Sequence, residues 1–173
     1  MVIRKRLHIP QQGIAFVTTT TTGWTPVYNV RLAAEITLNE LEKTLDLYDG
    51  LLTGYVLMPS HIHMLAYLHS ISDLSRFVQA FKSISARRLK KTDLGEYRNL
   101  LIKKGQFRLW KPRFDDFIIR NEEQFLTKLE YIHNNPVKAG LVDVATDWPY
   151  SSAKDWYENK PGFLRIDKSY FRL

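Results

Sequence analysis

The stretch Gly54-Tyr55-Val56-Leu57-Met58-Pro59-Ser60-His61-Ile62-His63-Met64-Leu65-Ala66-Tyr67-Leu68 decides the reading of this chain. Apolar, β-branched and aromatic residues flank Met58-Pro59-Ser60, and proline presets a turn and cannot donate to a sheet ladder. Two strands are predicted, Leu52 to Leu57 and Ser60 to Leu68, joined as a hairpin. Side chains alternate faces along a strand, so His61 and His63 project together from one side. Two neutral imidazoles on a rigid strand are half of a divalent-metal site; a hydrogen-bonded pair with no ligand is the plainer reading.

Outward from the hairpin, Gly13 to Thr22 is β-branched and lacks helix formers beyond Ala15, so it reads as a strand. From Val30 to Leu51 the residues Leu32, Ile36, Leu41, Leu45 and Leu47 recur at helical spacing, with an interruption near Thr37-Leu38-Asn39. Ser72 or Asp73 can cap a second helix lined by Leu74, Phe77, Val78, Phe81, Ile84 and Leu89. After a loop from Thr92 to Gly105, Phe107 to Ile119 reads as a further strand with an edge or bulge at Pro112. Asn121 and Gln124 resemble a capping box that opens a third helix through Phe125, Leu126, Leu129 and Ile132. Pro136 predicts that this helix ends at or before Asn135. An aromatic tail from about Trp148 is expected to wrap the body, and the chain reads as one domain over residues 1–173.

At 173 residues and 45% hydrophobic content the chain can bury one substantial core. Nothing approaches the roughly 18 apolar residues of a membrane span, and Arg4, Lys5 and Arg6 lead into Pro10, Gln11 and Gln12 instead of an apolar signal core; a cytoplasmic protein is expected. There is no cysteine, which excludes disulfides and thiolate chemistry and leaves nitrogen and oxygen as metal ligands. That favours Mg²⁺ or Mn²⁺ over a structural zinc.

The net charge is +7, and its distribution is uneven. Between Arg76 and Arg113 stand twelve basic residues (Arg76, Lys82, Arg87, Arg88, Lys90, Lys91, Arg98, Lys103, Lys104, Arg108, Lys111 and Arg113) against Asp93 and Glu96. This segment carries +10, and the rest of the chain −3. Such a footprint suits phosphate backbones, with Phe107, Trp110 and Phe114 interleaved as stacking surfaces. A solvated helix face plus a basic loop is the competing account.

Tyr131 and Asn135 lie four apart and share a helix face, near its end. A phenol with a pKa near ~10 is a weak nucleophile at neutral pH, so chemistry through it requires a phosphate activated by a metal. His61, His63 and the Asn135 amide oxygen could supply that metal. In the alternative, Tyr131 docks on the sheet and Asn135 caps the helix.

Together, Pro59-Ser60-His61-Ile62-His63, Leu109-Trp110-Lys111-Pro112-Arg113-Phe114, Tyr131-Ile132-His133-Asn134-Asn135-Pro136-Val137 and Trp148-Pro149-Tyr150-Ser151-Ser152-Ala153 resemble the single-tyrosine HUH transposases, and within them the REP-associated tyrosine transposases. The matching segments run in the same order from about Phe16 to Ala153. The resemblance implies an α+β, ferredoxin-like or RNA-recognition-motif-like palm, with a central antiparallel sheet and helices packed on it. It implies that His61, His63 and Asn135 ligate Mg²⁺ or Mn²⁺, and that Tyr131 attacks a single-stranded DNA phosphate beside a hairpin. A 5′-phosphotyrosine link and a free 3′-OH would result, and rejoining would complete strand transfer without a nucleotide cofactor. A domesticated, catalytically silent hairpin-binding protein is the alternative. Arg87, Arg88, Lys90, Lys91, Lys103, Lys104, Arg108, Lys111 and Arg113 are candidate DNA contacts, with Trp110 or Phe114 stacking a base. A monomer is expected, with a dimer open; His133 reads as a packing residue, and His8 and His69 as structural.

Overall fold

The computed structural model describes residues 11–169, so Arg4, Lys5, Arg6 and His8 lie outside the described residues. In chain order the elements are β1 (Gly13–Thr20), α1 (Arg31–Leu47), β2 (Leu51–Met58), β3 (His61–Leu68), α2 (Leu74–Leu89), α3 (Tyr97–Leu100), β4 (Ile102–Lys103), β5 (Gln106–Phe107), β6 (Asp115–Ile118), α4 (Glu122–Lys138) and α5 (Ala153–Glu158), with short 3₁₀ turns between them. Four strands form one sheet in the order β2-β3-β1-β6, and every neighbouring pair is antiparallel. With α1 and α2 as the two crossovers this is the ferredoxin-like arrangement expected from the sequence.

Strand alternation sorts the core into two layers. Ala15, Val17, Ile62, Met64 and Ala66 face α1 and α2, where Leu38, Leu41, Phe77 and Phe81 complete the larger cluster. Ile14, Phe16, Leu65 and Tyr67 face the other way, toward Phe125, Leu129 and Ile132 of α4. Full burial of side chains like Leu129 and Ile132 contributes about 1.5–3 kcal/mol each, so α4 is held by its apolar face. Its first turn is capped as expected: Gln124 N donates to Asn121 Oδ1 at 2.9 Å, while Gln124 Oε1 accepts from Arg120 N.

How near α4 comes to the sheet is set at Gly54. The β2–β3 register shifts between Leu52 and Gly54, and a Cβ at position 54 would stand 2.8 Å from Leu129 Cδ1 and 3.3 Å from Ile132 Cδ1. Thr53, the bulged residue, donates its hydroxyl to Leu65 O at 2.9 Å, and its carbonyl accepts from Trp156 Nε1 at 2.9 Å. The outer edge of β2 is covered by the tail: Leu57 N donates to Tyr150 O, Ser152 N to Tyr55 O and Asp167 N to Leu52 O. An edge paired in this way offers no template to another chain.

Four expectations are corrected. Helix α4 continues through Pro136 to Lys138, because a proline this near the C-terminus removes one intrahelical bond, and the end is closed by Leu141 N donating to Pro136 O with Gly140 at φ 68°. The segment from Phe107 to Ile119 is not one strand: β5 pairs with β4 in a small hairpin, Trp110 bridges to Thr21, and only β6 joins the sheet. The loop from Thr92 to Gly105 holds α3 and β4. In α1 the buried stripe is Ala33, Ala34, Thr37, Leu38, Leu41, Thr44 and Leu45, so Leu32 and Leu47, off that stripe, are exposed.

Gly54→Val is expected to destabilise the protein by about 1–3 kcal/mol through overpacking against Leu129 and Ile132. A urea unfolding midpoint lowered at constant slope checks this; an unchanged midpoint would show that α4 does not depend on the close approach.

Candidate active site

Beyond the last apolar residues of the α4-facing layer, the same alternation delivers Thr18 on β1 and His61 and His63 on β3; Thr18 and His63 are register partners. The imidazole centroids of His61 and His63 are 4.8 Å apart. Helix α4 crosses this end of the sheet and sets the Tyr131 ring 5.4 Å from the His63 ring and 6.2 Å from Phe16, edge-on to both. Tyr131 keeps 42% of its surface exposed, although its helix is docked. Two residues far apart in sequence, His63 and Tyr131, are thereby brought into one site.

Both histidines are neutral at physiological pH. Burial pushes the His61 imidazole down to about 4. Burial, then the neighbouring His61 and Lys128, push His63 down to about 3. His63 Nδ1 lies 2.7 Å from Thr18 Oγ1, and His61 Nδ1 lies 3.3 Å from Ser60 Oγ. In the tautomer in which each Nδ1–H donates to its hydroxyl, each Nε2 lone pair is free for a ligand. Asn135 stands one turn beyond Tyr131, and its Nδ2 donates to Tyr131 O at 2.7 Å, which leaves Oδ1 as the amide's unused acceptor. Among the described residues no group of three His, Cys, Asp or Glu gathers, so a cation held by these two imidazoles would take its further protein ligand from an amide or hydroxyl oxygen.

The cations closest to Tyr131 are not those of the basic middle segment. Lys128 Nζ lies 4.7 Å from the Phe16 ring centroid, 5.5 Å from Phe117 and 5.9 Å from Tyr131, and Lys138 Nζ lies 5.9 Å from Tyr131 on its own account. Their positions, three before and seven after Tyr131, put all three residues on one helix face, which the spacing announces once Tyr131 is singled out. Trp24 meets His61 edge-on at 5.6 Å and carries Lys111 Nζ 4.3 Å above its ring; nothing in its local sequence flags it.

The expected DNA contacts divide by structure. Arg87, Lys90, Lys91, Lys103, Lys104, Arg108 and Arg113 are exposed and free to meet phosphates. Arg88 is exposed as well, but its Nε stands 3.4 Å from the buried Glu40 carboxylate, tying α2 to α1. Lys82 donates to the carbonyls of Lys111, Pro112 and Arg113 and so holds that loop. Trp110 is a correction: it is buried, its Nε1 donates to Ser85 Oγ at 3.0 Å, and it packs with Tyr28 and Phe81, so it has no ring face for a base. Phe114 is half-buried beside Lys82.

His133, on the far side of Tyr131's helix face, is fully buried; its Nε2 lies 2.8 Å from Ser152 Oγ, whose hydroxyl donates to Tyr55 O. Through the hydrogen bond between His133 Nε2 and Ser152 Oγ the imidazole joins α4 to β2 and the tail as a packing residue.

A ferredoxin-like sheet with a polar histidine end lies beneath an exposed helical tyrosine, and the fold matches a solved one. The REP-associated tyrosine transposase whose structure is solved bound to a REP hairpin has a TM-score of 0.67 to this chain at 22% identity, over 96% of this chain and 93% of that one. The chain belongs to the family described as "Transposase IS200 like", whose model matches residues 24–135, a span containing His61, His63, Tyr131 and Asn135. Among relatives, the Haemophilus influenzae protein named "Putative REP-associated tyrosine transposase" is 32% identical over 96 residues, 56% of this chain and 54% of that protein. The REP-associated tyrosine transposase of Escherichia coli K12 is 42% identical over 48 residues, 28% of this chain and 29% of that protein. The chain thus spans about half the length of the first of these relatives and under a third of the second. No helix among the described residues is long and apolar enough to cross a membrane.

Burial pushes His133 down to about 4, below its unfolded value near 6.5, so the unfolded chain binds the extra proton first. Its contribution to stability is present above about pH 6.5 and is lost as pH falls toward 4. His133→Gln, which keeps a donor for Ser152, is expected to reduce the loss of stability between those values by on the order of 3 kcal/mol. Chemical denaturation at both pH values reads this directly; identical slopes in the two proteins would contradict it.

Proposed function

We propose that this protein is a metal-dependent single-stranded DNA endonuclease and strand-transferase that works beside DNA hairpins in the cytoplasm, through a phosphotyrosine on Tyr131. The observation that carries the reading is the exposed Tyr131 phenol beside the buried His63, whose neighbour is the half-buried His61, with Lys128 and Lys138 over the phenol ring. A hydrolase of small neutral molecules has no use for that concentration of cations around a weak nucleophile.

The donor set fits a hard or borderline divalent ion. His61 and His63 are held neutral by burial, and Asn135 retains an amide oxygen; these three residues would hold Mg²⁺ or Mn²⁺. Such an ion, when bound, withdraws charge from a phosphate and eases the departure of its leaving oxygen. Tyr131 Oη forms the new bond to phosphorus, the bond from phosphorus to the 3′ oxygen breaks, and the phenol proton is balanced by protonation of that oxygen to a 3′-OH. Attack by another 3′-OH reverses these changes and frees Tyr131. The phosphodiester energy is kept in the tyrosine ester, so no nucleotide cofactor is needed. Lys128 and Lys138 offset the charge of the approaching backbone, and the exposed cations of α2 and the β4–β5 hairpin bind the duplex stem of a DNA hairpin by its phosphates.

Incubation with Mg²⁺ and a single-stranded oligonucleotide carrying an imperfect palindrome should give a covalent protein–DNA adduct on a denaturing gel. Tyr131→Phe is expected to remove it, by at least about a thousandfold. His61→Ala or His63→Ala should abolish cleavage and leave hairpin binding largely intact. Equal adduct with Tyr131→Phe would overturn the assignment; hairpin binding with no adduct from any form of the protein would identify a silent hairpin binder instead.

A further inference from the structure

Trp24 is the most solvent-open tryptophan in the described structure, at 57% exposure, and it sits in a backbone conformation that large side chains avoid, with φ at 56° directly after Gly23 at 64°. Left-handed backbone at a bulky residue is strained and persists only where the surroundings over-determine it. Here they do. Thr21 N and Oγ1 both donate to Ser60 O, the residue before His61; Thr21 Oγ1 also lies 2.8 Å from Thr25 O; and Thr25 Oγ1 donates to Thr22 O at 2.7 Å. On the other side Lys111 N donates to Thr20 O, and the Lys111 carbonyl is held by Lys82. An exposed indole is thus fixed to the strand end that carries His61, with an ammonium over one face at 4.3 Å and the His61 ring at 5.6 Å.

Burial in the core does not explain this side chain, since most of it is left in water at the cost of strain. An aromatic ring fixed beside a cation, within one residue's reach of a phosphate-handling centre, has the chemistry of a nucleobase platform. We propose that Trp24 stacks a base of single-stranded DNA next to the reacting phosphate, while Lys111 binds the phosphate that joins that nucleotide to its neighbour. The inference rests on the single-stranded DNA reading of the site. It replaces the buried Trp110 as the base-stacking surface, and it places the stacking where the tyrosine acts instead of on the hairpin stem. Stacking on an indole tolerates every base, so the platform orients the strand without selecting its sequence.

The test compares binding of an oligothymidylate of about twelve residues with binding of an abasic strand of the same length and charge. Wild-type protein should prefer the strand with bases. Trp24→Ala should lower that preference by about 5- to 150-fold, the equivalent of 1–3 kcal/mol per stacked base, with affinity for the abasic strand unchanged. Trp24→Phe should recover most of the preference, which a folding defect would not. Lys111→Ala should weaken both strands alike and reduce the salt dependence by about one phosphate contact. A preference equal in Trp24→Ala and wild type, or absent in wild type, overturns the platform and leaves the proposed strand chemistry standing. Failure of wild-type protein to bind either strand at low salt overturns the single-stranded DNA reading itself, and with it the platform.

Discussion

The absence of a side chain at Gly54 governs how this molecule is put together. Because the bulge in β2 brings bare backbone under α4, Leu129 and Ile132 can pack directly on the sheet, and the same turn of the helix sets the Tyr131 ring beside that of His63. A helix lifted by a methyl group would part Tyr131 from the strand end that carries His61 and His63. Packing in protein interiors is close enough that such a shift is transmitted along a rigid helix. The bulged Thr53 is in turn held by hydrogen bonds to Leu65 and Trp156, so the tail that covers the β2 edge also secures the bulge.

The second constraint is electrostatic. Along β1 and β3 the α4-facing residues pass from Ile14, Phe16, Leu65 and Tyr67 to Thr18, His63 and His61, so the apolar layer ends where the polar site begins. The imidazoles are buried enough to stay uncharged yet lie at the rim, where Lys128, Lys138 and Lys111 bring positive charge from α4 and from the loop after β5. Neutral imidazoles surrounded by cations leave this end of the sheet attractive to an anion such as a phosphate diester. The basic residues of α2 and the β4–β5 hairpin extend that field over the surface, and several members of the same segment serve the fold itself: Lys82 holds the 111–113 loop, and Arg88 reaches the buried Glu40.

Local patterning made much of this legible. The paired histidines follow from period-two alternation, the start of α4 from Asn121 and Gln124, and the shared face of Tyr131 and Asn135 from their spacing of four. What misled was also local. Pro136 reads as a stop, yet in the last turn its missing donor costs a single bond, and α4 runs on. Trp110 reads as a surface aromatic among cations, yet it is the residue that bridges to Thr21 and fills the space between Tyr28 and Phe81. The nearby Arg108 and Arg113 are exposed while Leu109 and Trp110 are buried.

By itself the sequence determined the alternation, the helix faces, the lack of thiol ligands and the concentration of positive charge between Arg76 and Arg113, since each of these depends only on residue type and spacing along the chain. Only the tertiary structure decided which cations meet the tyrosine, which tryptophan stands open and which is core, and that His63 and Tyr131 share a site. Those outcomes depend on distances between segments far apart in the chain, and these are set by close approaches such as that at Gly54 and by hydrogen bonds such as those from Thr21 to Ser60, for which residue spacing carries no signal.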